Sequence, residues 1–152
     1  MFFDVSPDAY ARFMGRYSEP LGGLFADLAG LHRGQRALDV GCGPGALTAE
    51  LVRRLGEDAV AAVDPSEPFA AAVAERFRGV DVRVAAAERL PFGDGAFDVG
   101  LAQLVVHFMA SPVAGLAEMG RVTRPRGDRG VRVGSRRGLR PAGSLLAGGA
   151  RA

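Results

Sequence analysis

Short apolar runs alternate along the chain with longer segments whose apolar residues recur at helical spacing. Four apolar runs are predicted to be buried strands: 37–40, 59–63, 80–84 and 97–102. Three segments with apolar residues at helical spacing are predicted helices: 46–55, 66–77 and 112–122. Strands separated by helices pair in parallel through right-handed crossovers. The pattern therefore predicts an α/β fold with a doubly wound, mostly parallel sheet that is covered on both faces.

The segment before the first strand, residues 6–31, has a weaker helical pattern. Ser6 followed by Pro7 suits a helix N-cap and first turn. The apolar spacing is interrupted at Pro20 and at Gly22–Gly23. We expect one or two helices here, placed ahead of the main fold.

Length and composition are those of one globular domain, with 152 residues that are 48% hydrophobic and 24% charged. No run approaches the roughly 20 apolar residues of a membrane helix, so we expect no membrane span. The first residues show no secretory signal, and the single cysteine, Cys42, excludes an intrachain disulfide. These features predict a cytoplasmic protein.

The glycine-rich stretch "ALDVGCGPGAL" follows the first predicted strand and opens a helix. Gly41, Gly43 and Gly45 allow a sharp turn and a close backbone approach to a ligand. The helix start supplies unpaired N–H groups for a carboxylate or a phosphate. With Asp64 about 20 residues further on as a ribose ligand, the stretch also fits loosely a dinucleotide-binding fingerprint, so an NAD site stays open.

Asp39 separates these alternatives. A carboxylate two residues before the first glycine would repel a pyrophosphate and attract an ammonium group. The ligand is therefore expected to be a nucleoside with an amino-acid end, a shape that S-adenosylmethionine has. Its ribose suits Asp64, because a carboxylate accepts hydrogen bonds from both sugar hydroxyls.

Four stretches, "ALDVGCGPGALT", "VAAVDPSEPF", "ERLPFGDGAFDVGLAQLVVHFM" and "EMGRVTRPRG", resemble consecutive motifs of class I S-adenosylmethionine-dependent methyltransferases. The resemblance is to the group that acts on small molecules, and it covers about residues 1–127. It implies a Rossmann-like fold, S-adenosylmethionine as cofactor, and methyl transfer to a small-molecule acceptor. It implies neither a nucleic-acid partner nor a metal.

The resemblance also implies which residues bind the cofactor. Those for the methionine portion are Asp39, Gly41, Gly43 and Gly45, and those for the ribose, the adenine and the substrate cavity are Asp64, Pro65, Ala87, Glu88 and Gln103. The family usually has an aspartate just before the Ala87 position, whereas this chain has Ala86. Adenine contact is therefore expected to be weaker.

No catalytic residue is assigned from the sequence. His107 follows an apolar run and is a weak candidate for a general base, which only an acceptor that loses a proton would need. No His/Cys cluster has metal-ligand spacing, so no metal site is predicted. Asp98 is expected to orient the fourth strand, and Cys42 to be a small packing residue.

The end of the chain differs in charge from the rest. Residues 1–120 hold 16 of the 17 acidic and 10 of the 19 basic residues, whereas residues 121–152 hold nine arginines and one acid. A basic arm of this kind can bind nucleic acid, but a shift of reading frame near residue 126 explains it better. The next frame permits a string that resembles the family's fifth strand.

The domain is accordingly expected to cover 1–126, with an Arg/Gly-rich, disordered tail at 127–152 and a sheet incomplete at its C-terminal edge. An exposed sheet edge invites aggregation. This expectation leaves two alternatives to an active methyltransferase: an NAD-binding oxidoreductase domain, and a non-catalytic S-adenosylmethionine-binding remnant.

Overall fold

A single six-stranded sheet forms the centre of the molecule in the computed structural model, which describes residues 20–103, 105–124, 130–135 and 138–141. The strands are β1 (Ala37–Val40), β2 (Val60–Asp64), β3 (Asp81–Val84), β4 (Val99–Gln103), β5 (Gly130–Ser135) and β6 (Gly138–Pro141). Their order is β3-β2-β1-β4-β5-β6, and all neighbours pair in parallel except β5 and β6. The predicted doubly wound, mostly parallel sheet is confirmed.

Helices connect the strands, as the alternating pattern predicts. Residues 20–29 are helical (α1), and the further helices are α2 (Ala46–Leu55), α3 (Glu67–Arg76) and α4 (Pro112–Val122). Two of them begin at a serine followed by proline in the first turn: the Ser66 and Ser111 hydroxyls accept from the N–H groups of Phe69 and Ala114. No helix in the described ranges has the length and apolarity that crossing a membrane requires.

The two faces of the sheet bury separate apolar clusters. On one face, Ala37 and Leu101 of the sheet pack with Leu47 and Leu51 of α2. On the other face, the next residues along the strands, Leu38 and Ala102, pack with Leu116, Met119 and Val122 of α4. Successive strand residues thus point to opposite layers, which explains why β1 and β2 are buried along their whole length.

Helix α1 corrects the expectation that Gly22–Gly23 interrupts the helical segment, because the helix continues through both glycines. A Cβ at Gly22 would lie 3.5 Å from the carbonyl oxygen of Ala46. Helix α1 therefore packs on the start of α2 at ordinary contact distance. The guanidinium of Arg54 adds hydrogen bonds to Asp27 and to the Gly23 carbonyl. Residues 6–19 of the predicted helical segment lie outside the described residues.

The structure also differs from the expectation for the tail. Residues 130–135 extend the sheet beside β4, with Leu101 opposite Arg132 and Ala102 opposite Val133, and residues 138–141 pair with them. Without β5, the edge of β4 would expose unpaired backbone groups, and strand pairing through the backbone does not require apolar side chains. These two segments are strands in the structure, which the sequence pattern did not predict. The rest of 125–152 lies outside the described residues, and the frame-shift hypothesis stays a prediction.

The segment between β3 and β4 is tied to α4 through Arg121. Its guanidinium donates to the backbone carbonyls of Leu90 and Phe92 and pairs with the carboxylates of Asp94 and Glu118. Glu118 in turn accepts from the Leu90 N–H. One side chain thus joins several points of a loop that has no regular secondary structure, and it keeps that loop at the sheet edge.

We expect Arg121→Met to loosen this loop without unfolding the sheet. Trypsin should then cleave after Arg89, an exposed residue of the loop, roughly severalfold faster than in the wild type, because local opening controls cleavage. The matched control is Arg53→Met, which removes an exposed arginine whose carboxylate partner, Glu50, lies three residues away on the same helix. Equal cleavage rates in both variants would show that Arg121 does not anchor the loop.

Candidate functional site

The residues predicted to bind a cofactor lie at one edge of the sheet, where β1, β2, β3 and β4 end. Asp39 is the penultimate residue of β1, and the glycine loop follows this strand. Asp64 ends β2, Gln103 ends β4, and Ala87 and Glu88 come shortly after β3. In open parallel sheets this carboxyl edge is where ligands bind. The structure thus brings the predicted residues to the same side of the fold.

The glycine loop is held against the neighbouring strand by one carbonyl. The Val63 oxygen of β2 accepts hydrogen bonds from the N–H groups of both Gly41 and Cys42, at 2.8 and 3.0 Å. Gly41 has a φ of 73°, and a Cβ there would lie 2.8 Å from Cγ2 of Val105. Backbone conformation and crowding therefore both require glycine at this position.

Asp39 is almost fully buried, with 1% of its surface exposed. Its Oδ2 accepts a hydrogen bond of 2.7 Å from the Thr48 hydroxyl in the first turn of α2. Burial raises the pKa of Asp39 to about 7, the Thr48 hydroxyl opposes that rise, and the charge of Asp64 adds to it. At neutral pH this carboxyl is therefore close to half ionised.

Asp64 is held by two backbone groups. Its Oδ2 accepts from the Gly43 N–H at 2.9 Å, and its Oδ1 accepts from the Ser66 N–H at 2.8 Å. Burial raises the pKa of Asp64, and these two hydrogen bonds counteract the rise. A carboxylate has about four acceptor positions, so Asp64 keeps one on each oxygen for a ligand.

The two carboxyl groups, when ionised, bring negative charge to the same site. Within the described ranges, neither Asp39 nor Asp64 forms an ion pair, and no arginine influences their pKa values. Buried charge without a partner is unfavourable. This arrangement suits a ligand that brings a positive charge and sugar hydroxyls, as S-adenosylmethionine does, and it disfavours a diphosphate.

The other predicted site residues surround this pair at different degrees of exposure. Pro65 is exposed, whereas Ala87 and Gln103 are half-buried. The Glu88 carboxylate accepts from the Ser111 N–H at 3.0 Å, so it joins the loop after β3 to the start of α4. His107 belongs to a short 3-10 turn, Val106–Phe108, that follows β4.

Cys42 is buried in the glycine loop, and the pKa of its thiol is raised by burial and by the charges of Asp39 and Asp64. It therefore stays a thiol, in agreement with its expected role in packing. Asp98 lies at the opposite edge of the sheet, where its Oδ2 accepts from the Arg36 N–H. No group of three or more His, Cys, Asp and Glu side chains suited to a metal occurs among the residues for which the structure gives positions.

Sequence reasoning missed Thr48 and Val105. Thr48 is fully buried beside Asp39, and Val105 packs on Gly41. A polar residue on the inward face of a predicted helix was the available signal for Thr48, because its neighbours Leu47 and Leu51 face the core. The Val105 contact joins two loops that are distant in sequence, and no local pattern indicates it.

We expect Gly41→Ala to destabilise the fold more than a comparable glycine substitution elsewhere. The added methyl combines strain at positive φ with a clash against Val105, about 2–4 kcal/mol in total by chemical denaturation. Gly34→Ala is the matched control, because Gly34 has a φ of 91° but open space around it. It should cost about 1–2 kcal/mol. Equal losses of stability in the two variants would show that Val105 shifts to accommodate the added methyl group.

Known proteins resemble the chain over the part that contains this site. The model of a methyltransferase domain family matches residues 38–128. Trans-aconitate 2-methyltransferase of Mycobacterium tuberculosis is 43% identical over 75 residues, which cover 49% of this chain and 28% of that enzyme. Demethylmenaquinone methyltransferase of Beutenbergia cavernae is 36% identical over 103 residues, covering 66% of this chain and 41% of the relative. The chain thus spans less than half the length of either relative.

Solved structures share the fold. The cyclase SpnF has a TM-score of 0.66 and 31% identity, with 76% of this chain and 44% of that chain covered. An S-adenosylmethionine-dependent methyltransferase from Aquifex aeolicus has a TM-score of 0.72 and 22% identity, with coverage of 86% and 72%. None of these likenesses supports the oxidoreductase alternative. The chain therefore belongs to the family of S-adenosylmethionine-dependent methyltransferases.

Proposed function

We propose that this chain binds S-adenosylmethionine at the carboxyl edge of the sheet and transfers its methyl group to a small-molecule acceptor. The observation that carries the proposal is the pair of buried carboxyl groups, Asp39 and Asp64, on neighbouring strands with no ion-pair partner in the described ranges. A cationic ligand relieves the repulsion between them, whereas a dinucleotide diphosphate would increase it.

Each side chain has a distinct role in this proposal. Asp39 receives the ammonium of the cofactor, and the remaining acceptor positions of Asp64 receive the ribose hydroxyls. The first helical hydrogen bond of α2 runs from Ala49 to Gly45. The Gly45 N–H donates to the Cys42 carbonyl and the Thr48 N–H to Asp39, so the N–H groups of Ala46 and Leu47 receive the cofactor's carboxylate in this proposal. Pro65, Ala87, Glu88 and Gln103 border the adenine and the acceptor.

The bound cofactor supplies a methyl group that is already activated by a sulfonium sulfur. The protein then has to hold the acceptor in line with the methyl–sulfur bond and exclude water, and such positioning is worth about 7–11 kcal/mol. No general base is required unless the acceptor loses a proton. His107 remains the candidate for that case because it follows β4 at the same edge.

The surface after β4 favours an acceptor with an apolar face. From Val99 to Ala117 the chain has no Asp, Glu, Lys or Arg. Phe108 and Val113 expose 53% and 65% of their surface, and the half-buried Val105 lies against the glycine loop. An apolar molecule would bury this surface, whereas a polycarboxylate would find no cation in this stretch. The single cysteine supports a cytoplasmic location for this reaction.

We expect Asp39→Asn to weaken binding of S-adenosylhomocysteine at least roughly tenfold, because a charge-assisted contact to the ammonium is lost. Isothermal titration calorimetry measures this change, and NAD should give no binding heat with either protein. Asp98→Asn is the matched control, since it neutralises a buried acid at the opposite edge of the sheet. Equal affinity in wild type and Asp39→Asn, or tight binding of NAD, would contradict the proposal.

For the acceptor, we expect methyl transfer to a demethylmenaquinone analogue and none to trans-aconitate, measured as incorporation of labelled methyl. Phe108→Ser should raise the apparent KM for the apolar acceptor without changing the affinity for S-adenosylhomocysteine. Methylation of trans-aconitate would refute the apolar acceptor. A protein that binds the cofactor but methylates nothing in a broad acceptor panel would instead be the non-catalytic alternative.

A further inference from the structure

The contact between Thr48 and Asp39 is an unusual use of a threonine in a helix. Thr48 lies in the first turn of α2 with no exposed surface, and its hydroxyl donates at 2.7 Å to Oδ2 of Asp39 on β1. A helical threonine commonly directs its hydroxyl to a backbone carbonyl of its own preceding turn. Here the hydroxyl instead points across to the strand and joins α2 to the only carboxyl group of β1.

The groups that face Asp39 otherwise disfavour its charge. Asp64 approaches from β2 with the same sign of charge, and the Cys42 thiol lies in the glycine loop that follows β1. Among the described residues, only the hydroxyl and the backbone N–H of Thr48 stabilise the ionised form, and the hydroxyl is the stronger of the two. Burial has the larger effect and raises the pKa of Asp39 to about 7. The Thr48 hydrogen bond therefore increases the ionised fraction of Asp39 near neutral pH.

We propose that Thr48 is a positioning residue for cofactor binding, whose hydroxyl holds the Asp39 carboxylate ionised and oriented toward the cofactor's ammonium. This inference rests on the proposed function, since it concerns the same site. It also predicts that cofactor binding is coupled to the release of a proton from Asp39. Below pH 7 the free protein holds a proton on Asp39, and the arrival of a cation releases that proton to the solvent.

The sign of the pH dependence follows directly. A raised pKa means that the neutral acid is the prevailing form below pH 7, and the ammonium binds the ionised form. Affinity for S-adenosylhomocysteine should therefore increase from pH 6 to pH 8 with a midpoint near 7. At pH 6.5, calorimetry in two buffers of different ionisation enthalpy should show up to one proton released on binding.

The test compares Thr48→Val with the wild type, because valine has nearly the shape of threonine but no donor. Loss of a hydrogen bond to a charged group should move the midpoint of the affinity profile upward by about one to two pH units. Binding should weaken at least roughly fivefold at pH 7, and the difference should narrow as the pH rises. A residue that only packs would lower affinity equally at every pH.

Two further variants make the result specific. Thr48→Ser keeps the hydroxyl and should restore the wild-type profile, whereas Asp39→Asn should give weaker binding with no slope between pH 6 and 8. A Thr48→Val profile that superimposes on the wild type, or a slope that persists in Asp39→Asn, would overturn the inference.

The outcome remains decisive if Thr48→Val does not fold. In that case the proton count of the wild type decides, and binding without proton release at pH 6.5 would overturn the role given to Asp39 ionisation. If the wild type binds no S-adenosylhomocysteine at any pH, the proposed function itself fails, which is a different and recognisable result.

Discussion

The burial of two like-charged carboxyl groups side by side is the constraint on which the rest of this structure depends. Asp39 lies one residue before the end of β1 and Asp64 ends the neighbouring parallel strand β2, so the ladder that pairs Val40 with Val63 fixes their backbones. Neither charge is relieved by a base in the described part of the chain, and hydrogen bonds from Thr48, Gly43 and Ser66 are their only stabilisation there. A protein keeps such an unfavourable arrangement where a ligand completes it.

Much of the fold could be predicted from the sequence because its signals are local. The predicted β1, α2 and α4 have the observed bounds, since apolar spacing and the residues that end these elements coincide there. The predicted strands 59–63 and 80–84 differ by one residue from the bounds of β2 and β3, because hydrogen bonding to the neighbouring strand determines where each strand begins and ends. The strands at 130–135 and 138–141 could not be predicted, because backbone pairing with the open edge of β4 outweighs their arginine-rich pattern.

The site could be predicted to a similar extent, for the same reason. The glycine loop, Asp39 and Asp64 are singled out by their order and by the family resemblance, and the structure places them at one edge of the sheet. Their binding roles stay a prediction. Contacts between distant parts of the chain could not be foreseen. Arg121 anchors the loop that carries Leu90, and Glu88 binds the start of α4, although neither contact leaves a periodic pattern in the sequence.

The Val63 carbonyl has a consequence for the thermodynamics of recognition. Because it accepts from two successive amides of the glycine loop, contacts within the protein hold the start of that loop against β2. Ordering one backbone residue otherwise opposes association by about 1–2 kcal/mol. A ligand that contacts the glycine loop therefore meets backbone that β2 already holds in place. Less of the binding free energy is then offset by the conformational entropy that the loop would lose.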